Sequence, residues 1–190
     1  FLLTIPIHAQ NLPSIEKLSS LSNPHKLAGL KAGNRAANPR FKKLMFWINQ
    51  YEAAGTKPKD FLIQLYSHYS KIQPYNRPGH VYAPRTEKLN LEAQYRLGKL
   101  YGLYTPTNLL KLRKGNAAIV TRGDHIGEKI EIDHLIAMSK APSLEKSMAN
   151  LTWLPQSLNR SKGAKYTNAA KRRAKALGEE VKWKMPYITP

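Results

Sequence analysis

Glu131-Ile132-Asp133-His134-Leu135, then Asn150-Leu151-Thr152-Trp153-Leu154, then Asn159-Arg160-Ser161-Lys162-Gly163: these three short runs decide the fold of the C-terminal half. The first, taken back to Lys129, is β-prone. A polar segment, Arg122-Gly123-Asp124-His125-Ile126-Gly127, joins it to an earlier β-prone run at 117–121, which predicts a hairpin. Residues 151–154 predict a third short strand. Pro155 then opens a helix through Asn159, and a longer basic helix is expected over about 166–177. The order is therefore strand, strand, helix, with an Asp-His pair closing one strand and an Asn in the helix after the next. Adjacent side chains on a strand point to opposite faces, so Asp133 and His134 converge only if the strand ends there and turns.

Working outward, the upstream half reads as helical. From Asn38, with Pro39 in the first turn, Phe41, Leu44, Met45, Ile48 and Tyr51 recur at three- and four-residue spacing until Gly55. A second helix is expected from Lys57 or Pro58 to about Ile72, with Phe61, Leu62, Leu65, Tyr66 and Tyr69 on its apolar side. Three prolines and a glycine in 73–84 predict a loop, which places His80 in it. A third helix is expected over about 86–102, a short one over 108–113 capped by Thr107, and a brief one through Ile15, Leu18 and Leu21 capped by Ser14. The fold class expected is α+β. A helical, aromatic-rich, basic region (1–104) packs with a mixed domain (105–190). No internal repeat or low-complexity tract interrupts it.

Composition narrows the partner. Among 190 residues there is no cysteine, which excludes disulfide frameworks, Cys-type zinc sites and thiol catalysis. Lys and Arg exceed Asp and Glu by 19, in a chain apolar enough to fold, so the surface suits a polyanion. Nucleic acid is the leading partner, ahead of an acidic membrane face or an acidic protein. No stretch reaches the roughly 18 apolar residues that span a bilayer, so no segment that crosses a membrane is expected. Residues 1–10 read either as the remnant of an apolar signal segment or as an ordinary buried strand. The first reading implies a secreted or periplasmic protein, the second a cytoplasmic one. The densest positive run follows Asn159: Arg160, Lys162, Lys165, Lys171, Arg172, Arg173 and Lys175, with no acid until Glu179. That placement makes these side chains candidate phosphate contacts, and Arg40, Lys42, Lys43, Lys57 and Lys59 could extend the track. Nothing resembles a base-reading module, so weak sequence preference is expected.

Taken in order and spacing, the Asp-His pair, the Asn-Leu opening of the next strand and Asn-Arg-Ser-Lys-Gly in the following helix resemble the HNH endonucleases of the His-Me finger, or ββα-metal, group. The resemblance covers roughly 105–175, is closest to bacterial and often secreted HNH nucleases, and extends from 107 to 135 to the lead-in of HNH-type polymorphic toxins. It implies a ββα-metal core that hydrolyses phosphodiester bonds to leave 5′-phosphate and 3′-hydroxyl ends. It assigns His134 as general base and Asp133 and Asn159 as metal ligands. Asn150 takes the middle position, where the family's residue braces the loop carrying the histidine. Family members often have His at the third position; Asn159 there is similar to the HNH domains that cut one DNA strand with a single Mg²⁺.

The residue types fit that chemistry. Phosphodiester hydrolysis needs a cation to neutralise charge on the scissile phosphate and leaving oxygen, and a base to deprotonate water. Asp133 and Asn159 offer hard oxygen donors, which favour Mg²⁺ or Mn²⁺ over Zn²⁺. An imidazole, with an ordinary pKa of about 6.5, accepts a proton near neutral pH. Taken singly, an Asp-His pair is usually a surface turn and a helical Asn a solvated or capping side chain. It is the combination of three positions that carries weight. Asp124-His125, between Gly123 and Gly127, is a second and weaker candidate for substrate or metal contact. Trp153 reads as a core anchor rather than a base-stacking platform. Two rivals remain: a nuclease toxin domain neutralised by an acidic immunity protein, and a non-catalytic basic nucleic-acid-binding protein.

Overall fold

The computed structural model describes residues 12–30, 37–73, 75–77 and 80–186, so the segment 1–10 lies outside the described residues. Proline opens much of the helical framework. α2 (Pro24–Ala28), α4 (Pro58–Ser67), α5 (Pro84–Leu100) and α6 (Pro106–Lys114) each begin on one, where its missing N–H is not needed. α1 (Ile15–Ser19) is capped by Ser14 as expected, its hydroxyl accepting from Lys17 N. α3 (Ala37–Ala53) buries Phe41, Leu44, Met45, Ile48 and Tyr51, the periodic set, together with Phe46. Gly115 ends α6 at φ +81°, and a Cβ there would lie 2.9 Å from Pro39 Cβ, so both backbone and packing against α3 demand glycine.

Several expectations shift. The cap of α6 is Thr105, whose Oγ1 accepts from Asn108 N, rather than Thr107, because Pro106 rather than Asn108 starts the helix. α4 stops at Ser67 and continues to Ile72 only as hydrogen-bonded turns. Where a loop is expected, the chain forms a small antiparallel pair, β1 (Tyr75–Arg77) and β2 (His80–Tyr82), and His80 is a buried strand residue.

The expected hairpin is present in reduced form. Val120 N donates to Glu128 O and Ile130 N to Ala118 O, but the pairing amounts to a single bridge, Ile119 with Lys129. The full ladder joins β3 (Ile130–His134) to β4 (Leu151–Pro155), antiparallel, with Asp133 opposite Thr152 and His134 opposite Leu151. α7 (Gln156–Lys162) follows at once, and α8 (Asn168–Val181), capped by Thr167, closes the chain. The architecture is α+β, mainly helical with two small antiparallel sheets. Its main core crosses residue 104: Trp153 of β4, 1% exposed, meets Phe41 of α3 edge-on with ring centroids 5.3 Å apart. Among the described residues no helix is long and apolar enough to cross a membrane.

Candidate active site

β3 shows the alternation that builds the site. Ile130 and Ile132 face the core, while Glu131 and Asp133 lie half-buried on the opposite face, two residues apart. α7 supplies partners to that face. Asn159 Nδ2 donates to Glu131 Oε2 at 2.6 Å and Gln156 Nε2 to Glu131 Oε1 at 3.3 Å. Lys162 Nζ stands 2.6 Å from Asp133 Oδ2 and donates to the backbone oxygen of His134 at 2.9 Å. The face of β3 that carries Asp133 is thereby the face packed by α7, which carries Asn159, and the backbone oxygen of His134 is tied to the same helix.

His134 is the last residue of β3, and its ring nitrogen Nε2 lies 2.8 Å from the backbone oxygen of Glu145. A carbonyl only accepts, so Nε2 carries the proton, and in the neutral imidazole Nδ1 is left as the free lone pair. Asn150, fully buried, holds the turn that follows. Its Oδ1 accepts from Ile136 N and its Nδ2 donates to Ile136 O, both at 2.9 Å, while its backbone oxygen accepts from Leu135 N. The amide thus reproduces a strand-like pairing in a segment too curved for a ladder. It holds the loop beside His134 in place.

The second imidazole and carboxylate pair is arranged differently. His125 Nδ1 lies 2.9 Å from Glu128 Oε1, and Glu128 also accepts from Ser157 N and Ser157 Oγ at the start of α7. These bonds, the Ser157 N–H first, hold the Glu128 carboxyl down to about 2. Asp124 is exposed and takes no part. The cluster therefore splices the 122–127 turn to α7 and uses Glu128, not Asp124, to do so.

The basic residues separate into two kinds. Arg160, Lys165, Lys171, Arg172 and Lys175 are exposed. Two that were expected on phosphate are instead engaged within the protein. Lys162 pairs with Asp133. Arg173 is half-buried, donating from Nη2 to Asn90 Oδ1 at 2.8 Å and from Nη1 to Thr86 O, and burial pulls its guanidinium down to about 10. Upstream, Arg40 donates to Ser20 O, and Lys42 of α3 is close enough to Glu131 to feel its charge, which offsets part of the lowering that burial imposes on the amine.

α5 completes the frame. Asn90 Nδ2 donates to Met148 O and Leu151 O, and Gln94 Oε1 accepts from Trp153 N and Thr152 Oγ1, so two amides take up the outer edge of β4. Neither was legible as a site residue, because an amide in a helix gives no signal of what it faces. Glu131 did carry one: it precedes Asp133 by two and must share its face. Compared with known protein families, curated proteins and solved structures, the chain finds no match.

Proposed function

We propose that this protein is a metal-dependent endonuclease of the HNH type, acting on the phosphodiester backbone of nucleic acid, DNA before RNA, with weak sequence preference. The observation that carries the reading is the tautomer of His134. An imidazole anchored through Nε2 to Glu145 O, at the end of a strand that also bears Asp133 and is packed by the helix that bears Asn159, supports the reading of a fixed base on the same unit as two oxygen donors.

The donor set fits a hard cation. An ammonium, Lys162 Nζ, already sits 2.6 Å from Asp133 Oδ2, so positive charge is favoured at that oxygen, and Asn159, with its nitrogen on Glu131, keeps its Oδ1 available. Asp133 and Asn159 would hold Mg²⁺ or Mn²⁺, with Zn²⁺ disfavoured by the oxygen donors. Such an ion supplies neutralisation of the charge that builds on the scissile phosphate and the departing oxygen. The chain's own residues do the rest. His134 Nδ1 takes the proton of the attacking water, and the Glu145 carbonyl holds the Nε2–H so that the charged ring is stabilised as it forms. Asn150 keeps the ring's loop from drifting. Arg160, Lys165, Lys171 and Arg172 hold the flanking phosphates, whereas Lys162 balances Asp133 and Arg173 fastens α8 to α5.

The test is plasmid nicking by wild type and His134→Ala in Mg²⁺, Mn²⁺ or chelator. Relaxation that needs the metal and disappears in the variant is expected. Intact plasmid under every metal, with DNA still retained, would replace the reading with a non-catalytic nucleic-acid-binding protein.

A further inference from the structure

We propose that Glu131 is a positioning residue of this same site: its carboxylate selects which end of the Asn159 amide faces it, and so turns the amide oxygen rather than the nitrogen toward the cation. The inference rests on the nuclease reading and adds a residue to it.

The two ends of an asparagine amide are nearly equal in size, so packing alone does not choose between them. Chemistry does. An ionised carboxylate can only accept hydrogen bonds, and Glu131 Oε2 lies 2.6 Å from the Asn159 terminal atom, a distance that only the NH₂ end can occupy. With the nitrogen so fixed, the oxygen is the atom left to face elsewhere. Glu131 is itself held. Its other oxygen accepts from Gln156 Nε2, which is one helical turn before Asn159 on the same face of α7, so both oxygens of the carboxylate are engaged by amide N–H groups of that helix. The period-two alternation of β3 sets Glu131 beside Asp133, so the residue that orients one ligand is carried on the strand that carries the other. If Glu131 is replaced by Gln, position 131 can donate as well as accept. The Asn159 amide then pairs with it either way up, and in one of the two it presents a nitrogen to the cation.

The experiment is titration of the full chain with Mn²⁺, followed by the electron paramagnetic resonance of the free ion, with thermal midpoints measured in parallel on metal-free protein. Glu131→Gln should weaken Mn²⁺ binding by about tenfold or more, the usual effect of removing a partner that orients a ligand, while the protein stays folded. The double variant Glu131→Gln, Asn159→Asp exchanges donor and acceptor: the amide introduced at position 131 donates to a carboxylate that still offers the cation an oxygen. Its affinity should return to within about threefold of wild type. Mn²⁺ affinity unchanged in Glu131→Gln, or a double variant as weak as the single one, overturns the proposal. Asn159→Ala separates the two levels of the reasoning. If it binds Mn²⁺ as tightly as wild type, the site itself is wrong; if it is weak while Glu131→Gln is not, only the role of Glu131 is wrong.

Discussion

Replacing Asn150 by Ala removes two hydrogen bonds at once and leaves both backbone groups of Ile136, a fully buried residue, without their partners. An abandoned buried donor or acceptor costs about 1–3 kcal/mol, so the pair amounts to roughly 4 kcal/mol. In a chain of this length each kcal/mol moves the midpoint by about 2–4 °C, which predicts a drop of about 8–16 °C by calorimetry. Asn150→Asp discriminates further. A carboxylate still accepts from Ile136 N but opposes Ile136 O, and only its protonated form can donate there. Its folded pKa must therefore lie above the unfolded value of about 3.9. The sign follows: the folded state binds the extra proton, so this variant's stability is greatest at low pH and is lost as pH rises through the window above about 4. Its deficit against wild type should shrink when both are melted at pH 5 instead of pH 7. Nicking should fall in both variants, because the loop they release begins at the residue after His134. An Asn150→Ala midpoint within about 2 °C of wild type, with nicking retained, would refute the bracing argument.

Two more outcomes follow from charges the fold engages or leaves free. Glu87 of α5 is fully buried, and desolvation, opposed by the Tyr66 hydroxyl that donates to it, pushes its carboxyl up to about 8. The folded state therefore binds more protons than the unfolded one between about pH 4.5 and 8, and this group's contribution declines as pH rises through that window. Glu87→Gln should match wild type near pH 4.5 and melt progressively higher than it toward pH 8; a constant difference would contradict the burial argument. The exposed and engaged cations should separate in salt titrations of duplex binding. Replacing Lys165, Lys171 and Arg172 together by Ala should lower the slope of log K against log salt by up to about 2.7, at about 0.9 per phosphate contact. Arg173→Ala should lower the midpoint and leave that slope unchanged, and an altered slope would return Arg173 to the phosphate track.

How much of this was legible follows from what each signal encodes. The long helices were visible because proline and the three-to-four spacing of Phe41 to Tyr51 or Phe61 to Tyr66 report local geometry directly. The strands were visible too, but their partners were not. Residues 117–121 and 151–155 are both apolar enough to pair with β3, and both meet it; that the full ladder goes to the second is set at a distance, by Trp153 packing on Phe41 and by Gln94 meeting Trp153 N. His80 was misplaced for a related reason: prolines and glycine break long elements but do not forbid a three-residue strand. Spacing singled out Asp133, His134, Asn150 and Asn159 as candidates without showing what each would touch. Charge was the least informative about direction. Arg172 and Arg173 are adjacent and identical in kind, yet the turn of α8 sends one to solvent and the other to Asn90.

The use of Asn90 and Gln94 to finish the edge of β4 has a consequence for portability. A sheet of two strands has no interior strand, and here the place of a third is taken by side chains from a helix some sixty residues upstream. A fragment beginning at residue 105 would retain Asp133, His134 and Asn159 but present Leu151 and Trp153 with open backbone groups and no Phe41 to cover the indole. Such an edge invites a second copy to add itself as the missing strand. The helical region is thus less an attachment to the site than the reason that its sheet stops at two.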